Sequence, residues 1–304
     1  MGSKTYVTNA VKKIEHMFGP LHKERLPMTK GDHPELDMSE ELGSSDRELY
    51  QMLIGMARWA IQLGRIDIMF AVSALDRFAT APRQGHFDRI LKVWGYLKKF
   101  PNRAFCINPA IPPEYDDLED MQFEWVEQYP EACEEIPVTA IPPKGPKVVI
   151  SCFVDSDHAH DKENRRSVTG FIILINSMPY MWYCKRQGSV EGATYGAELV
   201  AMKTSVEHLK GLRIDLRMLG VDIDGPCIVF GDNESVCGHV TEPSATLNKK
   251  HLGISFHMIR ESVAAGIIDV YNIDGDDNPA NPLTKSETQD NLKIIEEMFF
   301  FRGD

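Results

Sequence analysis

The sequence predicts an α/β domain with its hairpins first, preceded by a small helical bundle. Three observations predict it. Between 148 and 304, short apolar runs of strand length give way to an alternation of strand and helix patterns. Between 45 and 99, three amphipathic stretches follow one another with short connections, as in a bundle. Between these regions, residues 105–147 lose both periodicities. The chain therefore divides into a helical region (1–104), an acidic Pro-rich linker (105–147) and an α/β domain (148–304).

Taken in order, residues 4–18 carry Val7, Val11, Ile14 and Phe18 at helical spacing. A polar, Pro-containing stretch runs to about residue 44. Ser45 with Glu48 forms a capping box, which predicts a helix start there and a buried face of Tyr50, Leu53, Ile54, Ala57 and Ile61. A helix over about 67–79 presents Ile68, Val72, Leu75 and Phe78, and one over about 84–99 presents Phe87, Ile90, Leu91, Trp94 and Leu97. In the linker, prolines cluster at 109, 112, 113, 137, 142, 143 and 146, and ten carboxylates without a base lie between 114 and 135. That composition predicts partial disorder with one short helix near 119–129. Strands are expected at 148–154, 168–175, 179–184, 227–231 and 267–273. The long helix 193–219 carries Tyr195, Leu199, Met202, Val206, Leu209, Leu212, Leu216 and Leu219 at steps of three and four, and Gly220 ends it. Further helices fit 233–241, 249–264 and 282–300.

At 304 residues the chain is long enough for two cores. A content of 43% hydrophobic and 26% charged residues fits a soluble globular protein. No apolar run approaches the ~20 residues that span a bilayer, and no signal segment opens the chain. Six cysteines without a Cys-x-x-Cys pair argue against zinc and against a disulfide framework. They suit a reducing intracellular compartment, cytoplasm or nucleus. The net charge of −12 is uneven: −2 over 1–46, +6 over 47–104, −8 over 105–147 and −8 over 148–304. The basic block 47–104 either tracks phosphates or is a solvated helix face. The acid of the last domain suits a metal site.

Three acidic residues have distinctive settings. Asp155 follows the apolar run Val148-Val-Ile-Ser-Cys-Phe-Val154, so its carboxylate emerges at the end of a strand, where open α/β sheets hold ligands. Glu198 lies beside the apolar stripe of the long helix. Asp232 ends Cys227-Ile-Val-Phe-Gly231 and precedes a helix. Each has a plain alternative: a turn cap, a solvated helix residue and a helix N-cap. Together, carboxylates at strand ends and on a helix make an all-oxygen site for hard cations.

The order of these pieces resembles the ribonuclease H domain of copia-type retrotransposon polyproteins. The segments that carry the resemblance are Phe153-Val-Asp-Ser-Asp-His-Ala159, Asp161-Lys-Glu-Asn-Arg-Arg-Ser-Val-Thr-Gly170, Trp182-Tyr-Cys-Lys-Arg-Gln187 and Gly196-Ala-Glu-Leu-Val-Ala-Met202. Gly231-Asp-Asn-Glu-Ser235, Lys250-His-Leu-Gly-Ile-Ser-Phe-His-Met-Ile-Arg-Glu261 and Asn278-Pro-Ala-Asn-Pro-Leu-Thr-Lys285 complete them. Upstream, Tyr50 to Ala60, Asp67 to Val72, and His86 with Ile90 to Lys98 look like the region between polymerase and ribonuclease H. Residues 5–28 look like the tail of the polymerase, and the chain is expected to start downstream of its palm.

The resemblance implies a ribonuclease H-like five-stranded mixed sheet with helices on both faces. It implies an endonuclease that cleaves the RNA strand of RNA/DNA hybrids with two Mg²⁺ ions, for which Mn²⁺ can substitute. Asp155, Glu198 and Asp232 would be the metal ligands. The family carries Asp where this chain has Asn281, followed by Pro282; an Asn oxygen coordinates without charge, so Asn281 would be a weakened fourth member of the catalytic set. Asp277 is close enough in sequence to compensate. Asn233 would lie beside the substrate phosphate. Arg165, Arg166, Lys185, Arg186, Lys249, Lys250 and His251 would contact nucleic acid, while His257 reads as structural. A polymerase palm, on the same or another chain, is the implied protein partner. The alternatives are a catalytically weakened binding remnant and a structural partner of a polymerase chain.

Overall fold

A computed structural model describes residues 3–118, 124–247, 249–286 and 288–301. The chain forms two compact units that do not follow chain order: Met1–Cys106, Ala159–Arg166 and Pro282–Asp304 make the first, and Ile107–His158 with Ser167–Asn281 the second.

The second unit is built on five strands, β1 (Ile150–Asp157), β2 (Val168–Ile175), β3 (Met178–Arg186), β4 (Cys227–Gly231) and β5 (Ile268–Asn272). Their order is β3-β2-β1-β4-β5. β1, β2 and β3 pair antiparallel, whereas β4 runs parallel to β1 and β5 parallel to β4. This is a five-stranded mixed sheet, as the resemblance implied. The hairpin between β2 and β3 turns on Asn176 and Ser177, and Asn176 takes the left-handed conformation that a tight hairpin requires, φ 55°. Alternate β1 residues Ile150, Cys152 and Val154 enter the core with Leu199, Met202, Val206 and Leu209 of the long helix. That helix is α5 in chain order (Thr194–Met218), and it ends at Gly220, φ 73°. Two further helices, α6 (Glu234–Thr241) and α7 (Gly253–Ala264), complete the unit.

The acidic segment packs into this unit. Trp125 is buried in the core, and the Tyr115 hydroxyl donates to Ser151 Oγ at 2.8 Å. Glu134 takes up the guanidinium groups of Arg213 and Arg217 on α5. Of the short helix expected near 119–129, residues 119–123 lie outside the described residues, and 126–128 form a turn.

The first unit holds α1 (Lys4–Phe18), α2 (Ser44–Gln62), α3 (Met69–Asp76) and α4 (Gln84–Lys99), joined by α8 (Gln289–Phe299). The expected capping box does not form: α2 begins at Ser44 behind Gly43, with no side-chain cap. The last helix begins later than its pattern suggests. Asn281–Leu283 make one 3₁₀ turn, the Ser286 hydroxyl is drawn away to accept from Gly31 N–H at 3.0 Å, and Thr288 caps α8.

The basic block 47–104 is largely neutralised inside this unit. Arg89 pairs with Asp32 and Asp37, Lys98 with Glu15, Arg83 with Glu41, Arg77 with Asp161, and Arg103 with Glu296. All these acids lie outside the block. Its excess charge therefore binds the rest of its own unit, which leaves less of it for phosphates.

Candidate functional site

The site grows from the register of the two parallel strands. Val154 and Gly231 are the last pair matched between β1 and β4. Asp155 and Asp232 are the next residue on each strand, so both carboxylates leave the sheet at the same end. Strands lie about 4.8 Å apart, which makes the two acids neighbours by construction. Glu198 comes from the first turns of α5, which packs along β1. One ligand oxygen from each of Asp155, Glu198 and Asp232 lies within 4.8 Å of the others. Among the described residues this is the group of three acids, histidines or cysteines that converges in this way. Asp155 is 2% and Glu198 7% exposed, and Asp232 is half-buried.

Small residues make the approach possible. A Cβ on Gly231 would lie 3.3 Å from both Met202 Cε and Cys237 Sγ. The Cys237 thiol sits behind the acids; burial, with the charges of Asp232 and then Glu198 adding to it, pushes its pKa up to about 12. It stays a neutral thiol.

Asp232 is not the cap of the helix that follows it. Asn233 is: its Oδ1 accepts from Val236 N–H at 3.1 Å. The cap engages only the Asn233 oxygen; the atom of Asn233 able to donate to a phosphate is Nδ2. Asn281 is half-buried, and its Nδ2 donates to the Gly275 carbonyl. Gly275 in turn borders Asp232, since a Cβ there would meet Asp232 Oδ2 at 3.4 Å. Asn281 thus reaches the rim of the cluster through a backbone carbonyl. Asp277 is exposed and does not belong to the converging group.

The bases divide. Arg186 lies in the cross-strand row Asp157, Val168, Arg186 and shares the face of Asp155, two residues along; Lys185 alternates to the other face. Lys249 places its ammonium 5.8 Å from the Tyr195 ring, on the first turn of α5. Lys250 is exposed, and His251 pairs with Glu191. Arg165 and Arg166 belong to the segment Ala159–Arg166, which is part of the first unit. His257 bonds the Tyr129 hydroxyl at 2.7 Å, and buried Arg260 donates to the carbonyls of His239, Glu242 and Pro243 while stacking on Trp125 and Phe256.

Sequence reasoning missed Asn278. Buried, it donates from Nδ2 to the Val154 carbonyl at 2.9 Å and accepts from Ala280 N–H at 3.0 Å. It ties the loop of Asn281 to the residue before Asp155. Its signal was present, an Asn before Pro in a loop that returns to the site, but nothing local distinguishes it from a turn residue.

No protein-family model matches the chain. A Pol polyprotein from transposon RE1 of Arabidopsis thaliana, described as retrovirus-related, is 22% identical over 252 residues, 83% of this chain and 15% of that protein. The corresponding polyprotein from transposon TNT 1-94 of Nicotiana tabacum is 23% identical over 259 residues, 85% of this chain and 17% of that protein. The chain is a homologue of copia-type retrotransposon Pol polyproteins. It spans about one sixth of the length of these two polyproteins. A solved ribonuclease H1 in complex with an RNA/DNA hybrid is similar with a TM-score of 0.36 and 16% identity, covering 44% of this chain and 93% of that one. No helix among the described residues of this Pol homologue is long and apolar enough to cross a membrane.

Proposed function

We propose that this chain is the connection and ribonuclease H segment of a retrotransposon polyprotein, and that it cleaves the RNA strand of RNA/DNA hybrids during reverse transcription. The observation that carries the reading is the convergence of Asp155, Glu198 and Asp232 at the carboxyl ends of two parallel strands. The donor set fits hard divalent cations. Three carboxylates within 4.8 Å, two of them buried, repel one another in a poorly solvated pocket, and divalent charge offsets that repulsion. Two Mg²⁺ or Mn²⁺ ions held by these three residues would supply an activated water and neutralise charge on the leaving oxygen.

The protein's own part is position. β1 fixes Asp155 on the central strand, α5 brings Glu198 to it, and Asn278 locks the neighbouring loop to Val154. Arg186, Lys249 and Lys250 are the bases best set to hold phosphates, which orient a duplex without reading its sequence. RNA is selected by its 2′-hydroxyls and minor-groove shape. A polymerase palm, in the same polyprotein or on a second chain, is the partner that would deliver the hybrid, in an intracellular compartment.

Asn281 favours a second reading, a site that binds hybrids but cuts them slowly. Its amide is spent on the Gly275 carbonyl and brings no negative charge to the cluster. Incubation with a labelled RNA/DNA hybrid in Mg²⁺, Mn²⁺ or chelator separates the two. We expect cleavage that is weak in Mg²⁺, stronger in Mn²⁺ and absent in chelator or in Asp155→Asn. Cleavage that survives chelator or that substitution overturns the site; binding without cleavage in either metal favours the second reading.

A further inference from the structure

Beside the cluster lies a buried carboxylate with no place in it. Glu191, in the connection between β3 and α5, is 5% exposed. Its Oε1 accepts from Ser189 Oγ at 3.0 Å, and its Oε2 lies 3.2 Å from His251 Nε2. Its backbone carbonyl accepts from His158 Nε2 at 2.9 Å, three residues beyond Asp155. The carboxylate occupies space that exists only because residue 196 is glycine. A Cβ on Gly196 would come within 2.7 Å of Glu191 Oε2. Gly196 is two residues before Glu198, so this device adjoins the metal-binding end of α5.

The consequence is a fixed imidazole. An ionised carboxylate only accepts, so Nε2 of His251 must carry the hydrogen. In the neutral ring Nδ1 is then an acceptor, on a side chain that is 63% exposed and flanked by Lys249 and Lys250. An acceptor cannot bond a phosphate oxygen, which also only accepts. It can bond a hydroxyl, and the hydroxyl that a nucleic-acid backbone offers is the ribose 2′-OH.

We infer that Glu191 is a positioning residue, seated by Gly196, that holds His251 with Nδ1 outward to accept from a 2′-hydroxyl of the RNA strand. The inference rests on the hybrid reading above and names the residue that tells RNA from DNA.

Two measurements test it on the whole chain at about pH 8, above the ordinary histidine range. The first is the ¹H–¹⁵N spectrum of the histidine rings of the free protein. His251 shows the Nε2–H form in wild type and in Glu191→Gln, whose amide oxygen still accepts. It becomes a tautomer mixture in Glu191→Leu and in Gly196→Ala, where the new Cβ displaces the carboxylate. The second is affinity in chelator for an RNA/DNA hybrid and for the DNA duplex of the same sequence. Glu191→Leu, Gly196→Ala and His251→Ala each lose about fivefold in hybrid affinity, the scale of one hydrogen bond, with the DNA duplex unaffected and Glu191→Gln close to wild type. Glu191→Leu in a His251→Ala background loses nothing further, which a merely structural role would not give. Equal losses on both duplexes would mean a phosphate contact and overturn the inference, as would an unchanged tautomer in Glu191→Leu. Wild-type protein that binds neither duplex overturns the hybrid reading and the 2′-hydroxyl contact; the spectrum then decides alone whether Glu191 positions the ring.

Discussion

Each unit of this protein buries carboxylates, and the two do it in opposite ways. In the helical unit Asp67 is enclosed by cations: Arg65 bonds it twice, at 2.8 and 2.9 Å, and Arg103 once, at 3.0 Å. Burial would raise its pKa, but the charges of Arg65 and Arg103 outweigh that and hold it at about 2. In the sheet unit Asp155, Glu198 and Asp232 are brought together with each other. A buried acid enclosed by bases is neutralised by the fold and serves it. Acids gathered within 4.8 Å of one another concentrate like charge at one point, and that is what makes them a candidate site. Burial alone does not distinguish the cases; the sign of the neighbours does.

Asp155→Asn should lower hybrid cleavage by on the order of 10³-fold, with single-turnover rates in Mn²⁺ as the check. In chelator the same change should leave the melting temperature equal or raise it, by roughly 1 kcal/mol of relieved repulsion. Asp67→Asn should do the reverse. Leaving Arg65 buried without its counter-charge costs about 3–5 kcal/mol, read by urea unfolding. A loss of stability in Asp155→Asn as large as that in Asp67→Asn would erase the distinction.

The pH response should separate the units as well. Asp67 has a folded pKa of about 2, below its unfolded value of about 3.9. Its contribution is fully present above about pH 4 and is lost as pH falls from about 4 to about 2, for about 2–3 kcal/mol in all. Acid unfolding followed from pH 5 downward should show this loss in wild type and not in Asp67→Asn.

The strands, the long helix and the three acids were legible because each has a local signature: short apolar runs before Asp155 and Asp232, and a stripe of step three and four beside Glu198. What was not legible is long-range. Ala159–Arg166 and the tail from Pro282 join the helical unit through contacts with no local pattern. Examples are Asp161 on Arg77, the Ser286 hydroxyl on Gly31, and Phe300 beside Phe105. The acidic segment read as a linker because its charge hides its anchors, Trp125 in the core and Glu134 on two arginines. The plain alternative for Asp232, an N-cap, does not hold: Asp232 and Asn233 are both good caps by residue type, and the structure uses Asn233.

The smallest effect concerns the departure at 281. Asn281→Asp adds a fourth acid but loses the bond to the Gly275 carbonyl. We expect cleavage in Mg²⁺ to rise by about two- to fivefold, through tighter metal binding, and to rise further when Pro282→Ile lets the backbone relax. Coincident Mg²⁺ dependence for wild type and both variants would remove position 281 from the site.

The contrast between the two kinds of buried acid is tested most directly by melting the protein with and without cation. Millimolar Mn²⁺ should raise the wild-type melting temperature by about 2–6 °C over chelator. The same increment should appear in Asp67→Asn, whose acid is not part of the cluster, and vanish in Asp155→Asn. Equal increments in wild type and Asp155→Asn, or none in wild type, would contradict the assignment of Asp155, Glu198 and Asp232 as a metal centre.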